Sequence, residues 1–144
     1  MTSSLRTFDG SCHCQALGFS FQTSLPVTEW SVRACQCGFC RARDAMTTSD
    51  PAGRLTFHVN EPDALQRYRF GLKTADFLLC RRCGVYIGAQ IQTAGGAFGI
   101  INTRALTPHL QGLPAAAAAD YGSENAGERT QRREKRWTPL AKLV

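Results

Sequence analysis

Seven cysteines carry most of the chemistry available to this sequence of 144 residues. They fall in three clusters with no isolated thiol: Cys12-x-Cys14, Cys35-x-Cys37-x-x-Cys40 and Cys80-x-x-Cys83. An odd cysteine count, together with an N-terminal sequence (MTSSLRTFDGSCHC) that has no apolar signal segment, argues against a disulfide scaffold and predicts a cytoplasmic protein. Clustered thiols in a reducing compartment usually bind metal, and thiolate-rich sites favour zinc. We therefore predict zinc as the cofactor.

The seven sulfurs divide naturally into four and three, which predicts two zinc ions per chain. A four-cysteine site is closed and structural. A three-cysteine site leaves one coordination position for water or substrate, as catalytic zinc sites do. We expect the zinc in the three-cysteine site to be the more labile of the two. Spacing leaves two partitions open. One joins Cys37-x-x-Cys40 to Cys80-x-x-Cys83 and leaves Cys12, Cys14 and Cys35 as the open site. The other keeps Cys35, Cys37 and Cys40 together, and we prefer it because three thiols within six residues can hardly avoid sharing one metal.

Histidines and glycines near the cysteines have less specific roles. His13 lies between two cysteines and should point away from them, so we do not expect it to bind metal. His58 and His109 are weaker candidates for a fourth ligand at the open site. Gly84, directly after Cys83, and Gly38 are predicted to supply the positive φ angles of tight metal-binding turns.

Charge and composition narrow the class of partner. The chain is 43% hydrophobic and 19% charged, which is typical of a folded globular protein. It lacks the run of about 18 apolar residues that a membrane span needs, so we expect no membrane partner. The net charge of +6 points weakly to an anionic partner such as nucleic acid, a membrane surface or an anionic small substrate. Arg41 and Arg43, just after Cys40, are candidates for binding a substrate carboxylate, and Asp44 is expected to stabilise a turn.

The elements that position the cysteines are predicted to be mainly β. Leu17, Phe19 and Phe21 alternate with small or polar residues, which is the signature of a half-buried strand. The same alternation occurs in residues 30–35 and 54–59. The stretches VYIGAQIQT and AFGIINTRAL, separated by Gly95-Gly96, predict a hairpin.

The chain after residue 112 has a different composition. Pro114 and the run Ala115 to Ala119 predict either a short helix or a flexible joint. We therefore divide the chain into a zinc-binding domain, residues 1–112, and an Ala-rich joint with a basic helical segment, residues 113–144, packed on the same domain.

Residues 124–136 (ENAGERTQRREKR) predict a solvated polar helix with an ion pair between Glu128 and Arg132, four positions apart. An arginine-rich nucleic-acid arm is the disfavoured alternative for this segment. The apolar residues after the helix are predicted to pack back on the sheet: Trp137, Leu140, Leu143 and Val144.

Three stretches, in this order, resemble the glutathione-dependent formaldehyde-activating enzyme family, which includes centromere protein V-like proteins: GSCHCQALGFSF, CQCGFCRARDA and LLCRRCGVYIG. The resemblance implies a β-tent fold, in which antiparallel sheets are pinned at a zinc site. It also implies a carbon–sulfur lyase-type reaction, the addition of the glutathione thiol to formaldehyde or a related aldehyde to give S-hydroxymethylglutathione. By the resemblance, Cys12, Cys14, Cys80 and Cys83 are structural zinc ligands, and Cys35, Cys37 and Cys40 are the catalytic zinc ligands.

Two features depart from the family pattern. Gln15 stands where many members carry Gly, and the basic C-terminal segment is not part of the core pattern. No glutathione-contacting residue is assigned by the resemblance. The alternative function is a zinc-stabilised module that binds a glutathione adduct, nucleic acid or a protein partner without catalysis. Three thiolates would leave a bound zinc with a net negative charge, which favours holding a thiol over strong carbonyl activation.

Overall fold

The predicted mainly-β fold is confirmed. The computed structural model describes residues 4–144, with strands making up 40% and helices 18%. The strands are β1 (Arg6–Ser11), β2 (Leu17–Thr23), β3 (Val32–Cys35), β4 (Thr47–Thr48), β5 (Arg54–Val59), β6 (Leu65–Tyr68), β7 (Asp76–Cys80), β8 (Tyr86–Thr93), β9 (Gly96–Asn102), β10 (Ala117–Ala119) and β11 (Thr138–Pro139). The helices are α1 (Gly38–Ala42) and α2 (Ala126–Arg136), with single 3₁₀ turns at Val27–Glu29, Pro62–Ala64 and Thr103–Ala105.

The strands form two sheets of unequal size. The smaller sheet has the order β1-β2-β5, and all its pairs are antiparallel. The larger sheet runs β10-β3-β4-β9-β8-β7-β6, with β11 also paired to β9. Its pairs are antiparallel except β10 with β3, which is parallel. All seven cysteines lie at strand ends or in the turns and the short helix that follow them.

The core between the sheets follows the predicted alternation. Leu17, Phe19 and Phe21 of β2 are almost fully buried, as are Leu55 and Phe57 of β5. Period-2 alternation places such residues on one face of a strand, where they pack against the second sheet.

The central hairpin forms as predicted. Strands β8 and β9 pair from Gly88 opposite Ile101 to Thr93 opposite Gly96. At Gly99 of β9, a Cβ atom would lie 2.8 Å from the Leu55 side chain, so the two sheets approach each other there only because the residue is glycine.

The alanine run is neither a helix nor a joint. Residues 117–119 form β10, which pairs with β3 from Ala117 opposite Arg33 to Ala119 opposite Cys35. Alanine has little preference for strands, and here tertiary pairing decides the structure. Strand β10 is therefore an edge strand of the larger sheet, and its last residue, Ala119, lies opposite Cys35.

The predicted C-terminal helix is α2, but its ion pair differs from the prediction. Glu128 closes a capping box with Asn125 at the start of the helix, so it is not available to Arg132. Arg132 instead pairs with Glu124, at 2.8 Å from Nε to the carboxylate. After the helix, Trp137 and Leu140 are buried as predicted, whereas Leu143 is exposed.

No helix in the described part of the chain has the length and apolar character to cross a bilayer; the longer of the two, α2, spans Ala126–Arg136.

Candidate metal centres and the adjoining cavity

Two turns from different sheets bring four thiols together. Cys12 and Cys14 lie in the turn between β1 and β2, while Cys80 ends β7 and Cys83 lies in the turn before β8. The Sγ atoms of all four lie within 4.8 Å of one another. We call Cys12, Cys14, Cys80 and Cys83 the four-thiol cluster. It ties the smaller sheet to the larger one.

The four-thiol cluster has the dimensions and surroundings of a zinc site. The Sγ atoms of Cys12 and Cys14 are 3.7 Å apart, and those of Cys14 and Cys80 are 3.5 Å apart. Sulfurs bound tetrahedrally at a Zn–S distance of ~2.3 Å would be ~3.8 Å apart. Burial raises the pKa of the Cys12 thiol to about 12, so a metal cation is what would hold it as a thiolate. The donor set therefore fits zinc.

The turn between β7 and β8 has the positive φ angle at Gly84 that the sequence predicted. Gly84 has a φ of +79°, and its N–H donates to the Cys80 carbonyl oxygen at 2.8 Å. This left-handed conformation is strained for other residues, which explains a glycine directly after Cys83.

The remaining three thiols lie at the junction of β3 and α1. Cys35 ends β3, Cys37 is the residue that caps the N-terminus of α1, and Cys40 lies within the helix. The Cys40 backbone N–H donates to Cys37 Sγ at 3.4 Å. Gly38 is the first residue of this helix and has no positive φ, contrary to the prediction. We call Cys35, Cys37 and Cys40 the three-thiol cluster.

The three thiols interact closely enough to share a proton. A hydrogen bond from the Cys40 thiol lowers the pKa of Cys35 to about 5, and the same interaction raises the pKa of Cys40. All three Sγ atoms lie within 4.8 Å of one another. A soft divalent cation such as zinc fits this donor set because it would take the place of the shared proton. The grouping of four and three sulfurs is the one preferred from the sequence.

The three-thiol cluster opens onto a cavity. The cavity has a volume of about 330 Å³. The three thiols line it, and so do five aromatic side chains, Phe70, Phe77, Tyr86, Tyr121 and Trp137. Four arginines complete the wall: Arg33 of β3, and Arg129, Arg132 and Arg133 of α2. An aromatic chamber with basic walls next to three thiols suits an anionic thiol.

The arginines of the cavity are not those expected from the sequence. Arg43 stacks on the Phe39 ring, with its Cζ 4.0 Å from the ring centroid, and Arg41 is exposed; neither lines the cavity. The prediction failed because α1 turns the residues after Cys40 away from the thiols. Positions 129, 132 and 133 share one face of a helix, and that spacing is the sequence signal that could have found them.

One face of α2 is therefore not solvated, which corrects the prediction of a solvated helix. Arg133 is only 7% exposed. The side chains of Arg129 and Arg132 are each 18% exposed, and both pair with Glu124. The helix lies with its basic face over the cavity.

The histidines and Asp44 lie outside both thiol clusters. His13 is exposed, and His109 is exposed in a loop. His58 Nε2 is 2.8 Å from Ser20 Oγ on the smaller sheet. Asp44 lies in a turn and forms an ion pair with Arg104.

Comparison with known proteins decides the family. A family model described as glutathione-dependent formaldehyde-activating enzyme matches residues 7–119. The chain belongs to the glutathione-dependent formaldehyde-activating enzyme family. It is also similar to a crystal structure of a Rhodobacter sphaeroides protein, solved as a structural genomics target, with 26% identity and a TM-score of 0.54; the alignment covers 77% of this chain and 99% of that one. No curated protein sequence matches it.

Part of the cavity wall lies outside the residues that match the family model. Residues 7–119 contain both thiol clusters and end with β10, so α2 and its arginines lie beyond the matched region. The structure also explains a departure within the match. Gln15, where many members of the glutathione-dependent formaldehyde-activating enzyme family carry Gly, has a φ of +67°.

Proposed function

We propose that this protein is a zinc-dependent enzyme of the carbon–sulfur lyase type, similar to an S-(hydroxymethyl)glutathione synthase. It would add the thiol of glutathione to formaldehyde or a related aldehyde. The observation that carries the proposal is the opening of the three-thiol cluster onto a basic, aromatic cavity. Membership of the glutathione-dependent formaldehyde-activating enzyme family supports the reaction class.

The two clusters take different roles in this proposal. Cys12, Cys14, Cys80 and Cys83 would hold a structural zinc that joins the sheets. Cys35, Cys37 and Cys40 would hold the second, catalytic zinc. When bound there, zinc would supply an open coordination position that lowers the pKa of a substrate thiol.

The chain's own residues bind and orient the substrates. The aromatic walls make the space beside the thiols less polar than bulk water, which strengthens electrostatic attraction inside the cavity. The four arginines attract an anionic thiol and raise its local concentration. In the reaction the thiol sulfur bonds to the carbonyl carbon, the thiol proton is released to solvent, and the aldehyde oxygen takes up a proton. The step needs no oxidant or reductant.

The experiment is a rate measurement, because thiols and formaldehyde also combine without a protein. Exchange of ¹³C-formaldehyde between its hydrate and the glutathione adduct is followed by NMR, with zinc-loaded protein. We expect faster exchange with the wild type than in buffer. Cys40→Ser should return it to the buffer rate, and Arg41→Gln, at an exposed position outside the cavity, should leave it unchanged. Exchange at the buffer rate with fully loaded wild type would overturn the proposal.

The exchange measurement, together with a nucleic-acid binding assay at several salt concentrations, separates an enzyme from a binding module. A protein that binds nucleic acid through phosphate contacts loses affinity steeply with salt. We expect no nucleic-acid binding at moderate salt, since the basic face of α2 lies over the cavity. Salt-dependent binding without accelerated exchange would favour the module.

Location and domain organisation are part of the proposal. The seven cysteines are free thiols, which supports a reducing cytoplasm. We propose that residues 113–144 act with residues 1–112 as one unit. In support, β10 pairs with β3, β11 pairs with β9, and Leu140 lies in the core between the sheets.

A further inference from the structure

Two buried polar groups of cavity-lining residues have no hydrogen-bond partner in the described part of the chain. The Tyr86 hydroxyl and the Arg133 Nε make no hydrogen bond among residues 4–144. Tyr86 is 2% exposed and Arg133 is 7% exposed, and both line the cavity. Leaving a buried polar group unpaired is costly, so such groups usually mark a place where a ligand completes the hydrogen bonds.

The two groups line the same cavity as the three thiols. Burial raises the pKa of the Tyr86 hydroxyl well above its usual value. The phenol therefore keeps its proton and can donate it. Burial lowers the pKa of Arg133 to about 10, so the guanidinium is still a cation at neutral pH.

Arg133 is held in place with one edge free. Its Nη1 donates to Thr74 Oγ1 at 2.7 Å, and its Cζ lies 4.8 Å from the centre of the Trp137 ring. These contacts fix the plane of the guanidinium and leave the Nε side without an acceptor. A guanidinium edge is the geometry that pairs with the two oxygens of a carboxylate.

Two of the four cavity arginines have no carboxylate partner among residues 4–144. Arg129 and Arg132 share Glu124, but neither Arg133 nor Arg33 makes an ion pair within the described part of the chain. Asp120 is an acidic residue of the cavity wall, against four arginines. Burying an unpaired cation is strongly unfavourable, and an anionic ligand would remove that cost.

We propose that Arg133 and the Tyr86 hydroxyl form a carboxylate-binding subsite that makes this protein selective for thiols bearing a carboxylate. The identity of the ligand as a thiol rests on the proposed function; the subsite itself rests on the unpaired groups. Arg133 lies beyond residues 7–119, the part that matches the family, so α2 adds the determinant of substrate choice.

The test uses a ligand that has the carboxylates but no free thiol. S-Methylglutathione and its diester are titrated into the zinc-loaded full chain by calorimetry. We expect the diester to bind at least about tenfold more weakly, since a charged hydrogen-bond pair is lost. Equal affinity of the two compounds would overturn the subsite. So would inorganic phosphate competing as well as S-methylglutathione does, because it would assign a tetrahedral anion instead.

Variants distinguish ligand binding from a structural role. Arg133→Gln should weaken S-methylglutathione binding by about 100-fold, and Arg133→Lys, which keeps the charge but not the planar edge, by about tenfold. Arg41→Gln, the matched control at an exposed arginine, should bind normally. Affinity unchanged in Arg133→Lys and Arg133→Gln would overturn the proposal.

Tyr86→Phe gives a test that a structural role cannot imitate. It deletes a hydroxyl that has no hydrogen-bond partner among the described residues, so the melting temperature should stay the same or rise while the affinity for S-methylglutathione falls about tenfold. A lower melting temperature with unchanged affinity would overturn the subsite, even if Arg133→Gln failed to fold. Normal carboxylate-dependent binding with no accelerated formaldehyde exchange would reject the proposed function and leave the subsite standing.

Discussion

The four-thiol and three-thiol clusters contain the same donor atoms in different structural settings. The four-thiol cluster joins two turns that come from different sheets, through Cys12 and Cys80, which are both buried. The three-thiol cluster lies within one short segment, from Cys35 to Cys40, and faces a cavity. Metal at the first would hold distant parts of the chain together, whereas metal at the second would hold residues that are already neighbours. The fold should therefore depend on the first cluster and the chemistry on the second.

The largest expected effect separates the clusters by stability. Cys80→Ser should unfold the protein, because structural zinc contributes on the order of 10–16 kcal/mol in small zinc-binding peptides, as much as the whole net stability of a domain. Cys40→Ser should leave the fold largely intact. Circular dichroism and thermal unfolding of the two variants, side by side, measure the difference. A well-folded Cys80→Ser protein would contradict the structural role of the four-thiol cluster.

The next effect separates them by metal content and activity. Cys40→Ser should retain one zinc per chain and lose catalysis down to the uncatalysed exchange rate, since two thiolates rarely hold zinc firmly. Zinc analysis of freshly purified protein and the formaldehyde exchange measurement test this together. Two tightly bound zinc ions in the variant would show that Cys40 is not a ligand.

Chelation should empty the clusters in order. The three-thiol cluster, which is open to the cavity, should release its zinc first, with loss of activity but little change in circular dichroism. The four-thiol cluster should release zinc later and together with unfolding. Loss of fold and activity in a single step would remove the distinction between the two sites.

The smallest effect sharpens the comparison on the four-thiol side. Gln15, next to Cys14, has a φ of +67°, a conformation that favours glycine. Gln15→Gly should stabilise the protein by about 0.5–1 kcal/mol, which raises the melting temperature by about 3 °C. Gln15→Ala is the control, because alanine is strained at the same φ and should give little gain. Equal stabilisation by both variants would mean that the backbone strain is not the cause.

Much of the fold was predictable from local patterns. The alternation at Leu17, Phe19 and Phe21 predicted a buried strand face, and the Gly95-Gly96 stretch predicted the β8–β9 hairpin. These patterns work because side chains alternate faces along a strand whatever its partners are. The alanine run of β10 was missed, because its pairing with β3 is a tertiary contact between residues more than 80 positions apart.

The metal-binding cysteines of the candidate site could be predicted from the sequence, but the residues that line the adjoining cavity could not. Cysteine spacing indicated two metal sites, and the preferred grouping is the one the structure brings together. The choice of Arg41 and Arg43 was wrong, because nearness in sequence to Cys40 does not decide where a side chain points. Arg133 was placed on a solvated helix, because a segment rich in charge has no apolar stripe to show that it covers a cavity.

The sequence by itself determined the local chemistry: the number and spacing of thiols, the strand faces, the cap of α2 and the glycine turn after Cys83. Each depends on residues a few positions apart, whose geometry the backbone fixes. Only the tertiary structure decided that α2 covers the three-thiol cluster and that the Arg133 Nε and the Tyr86 hydroxyl are buried with no hydrogen-bond partner among residues 4–144. That arrangement depends on packing between segments roughly 50 to 100 residues apart, which no local pattern encodes.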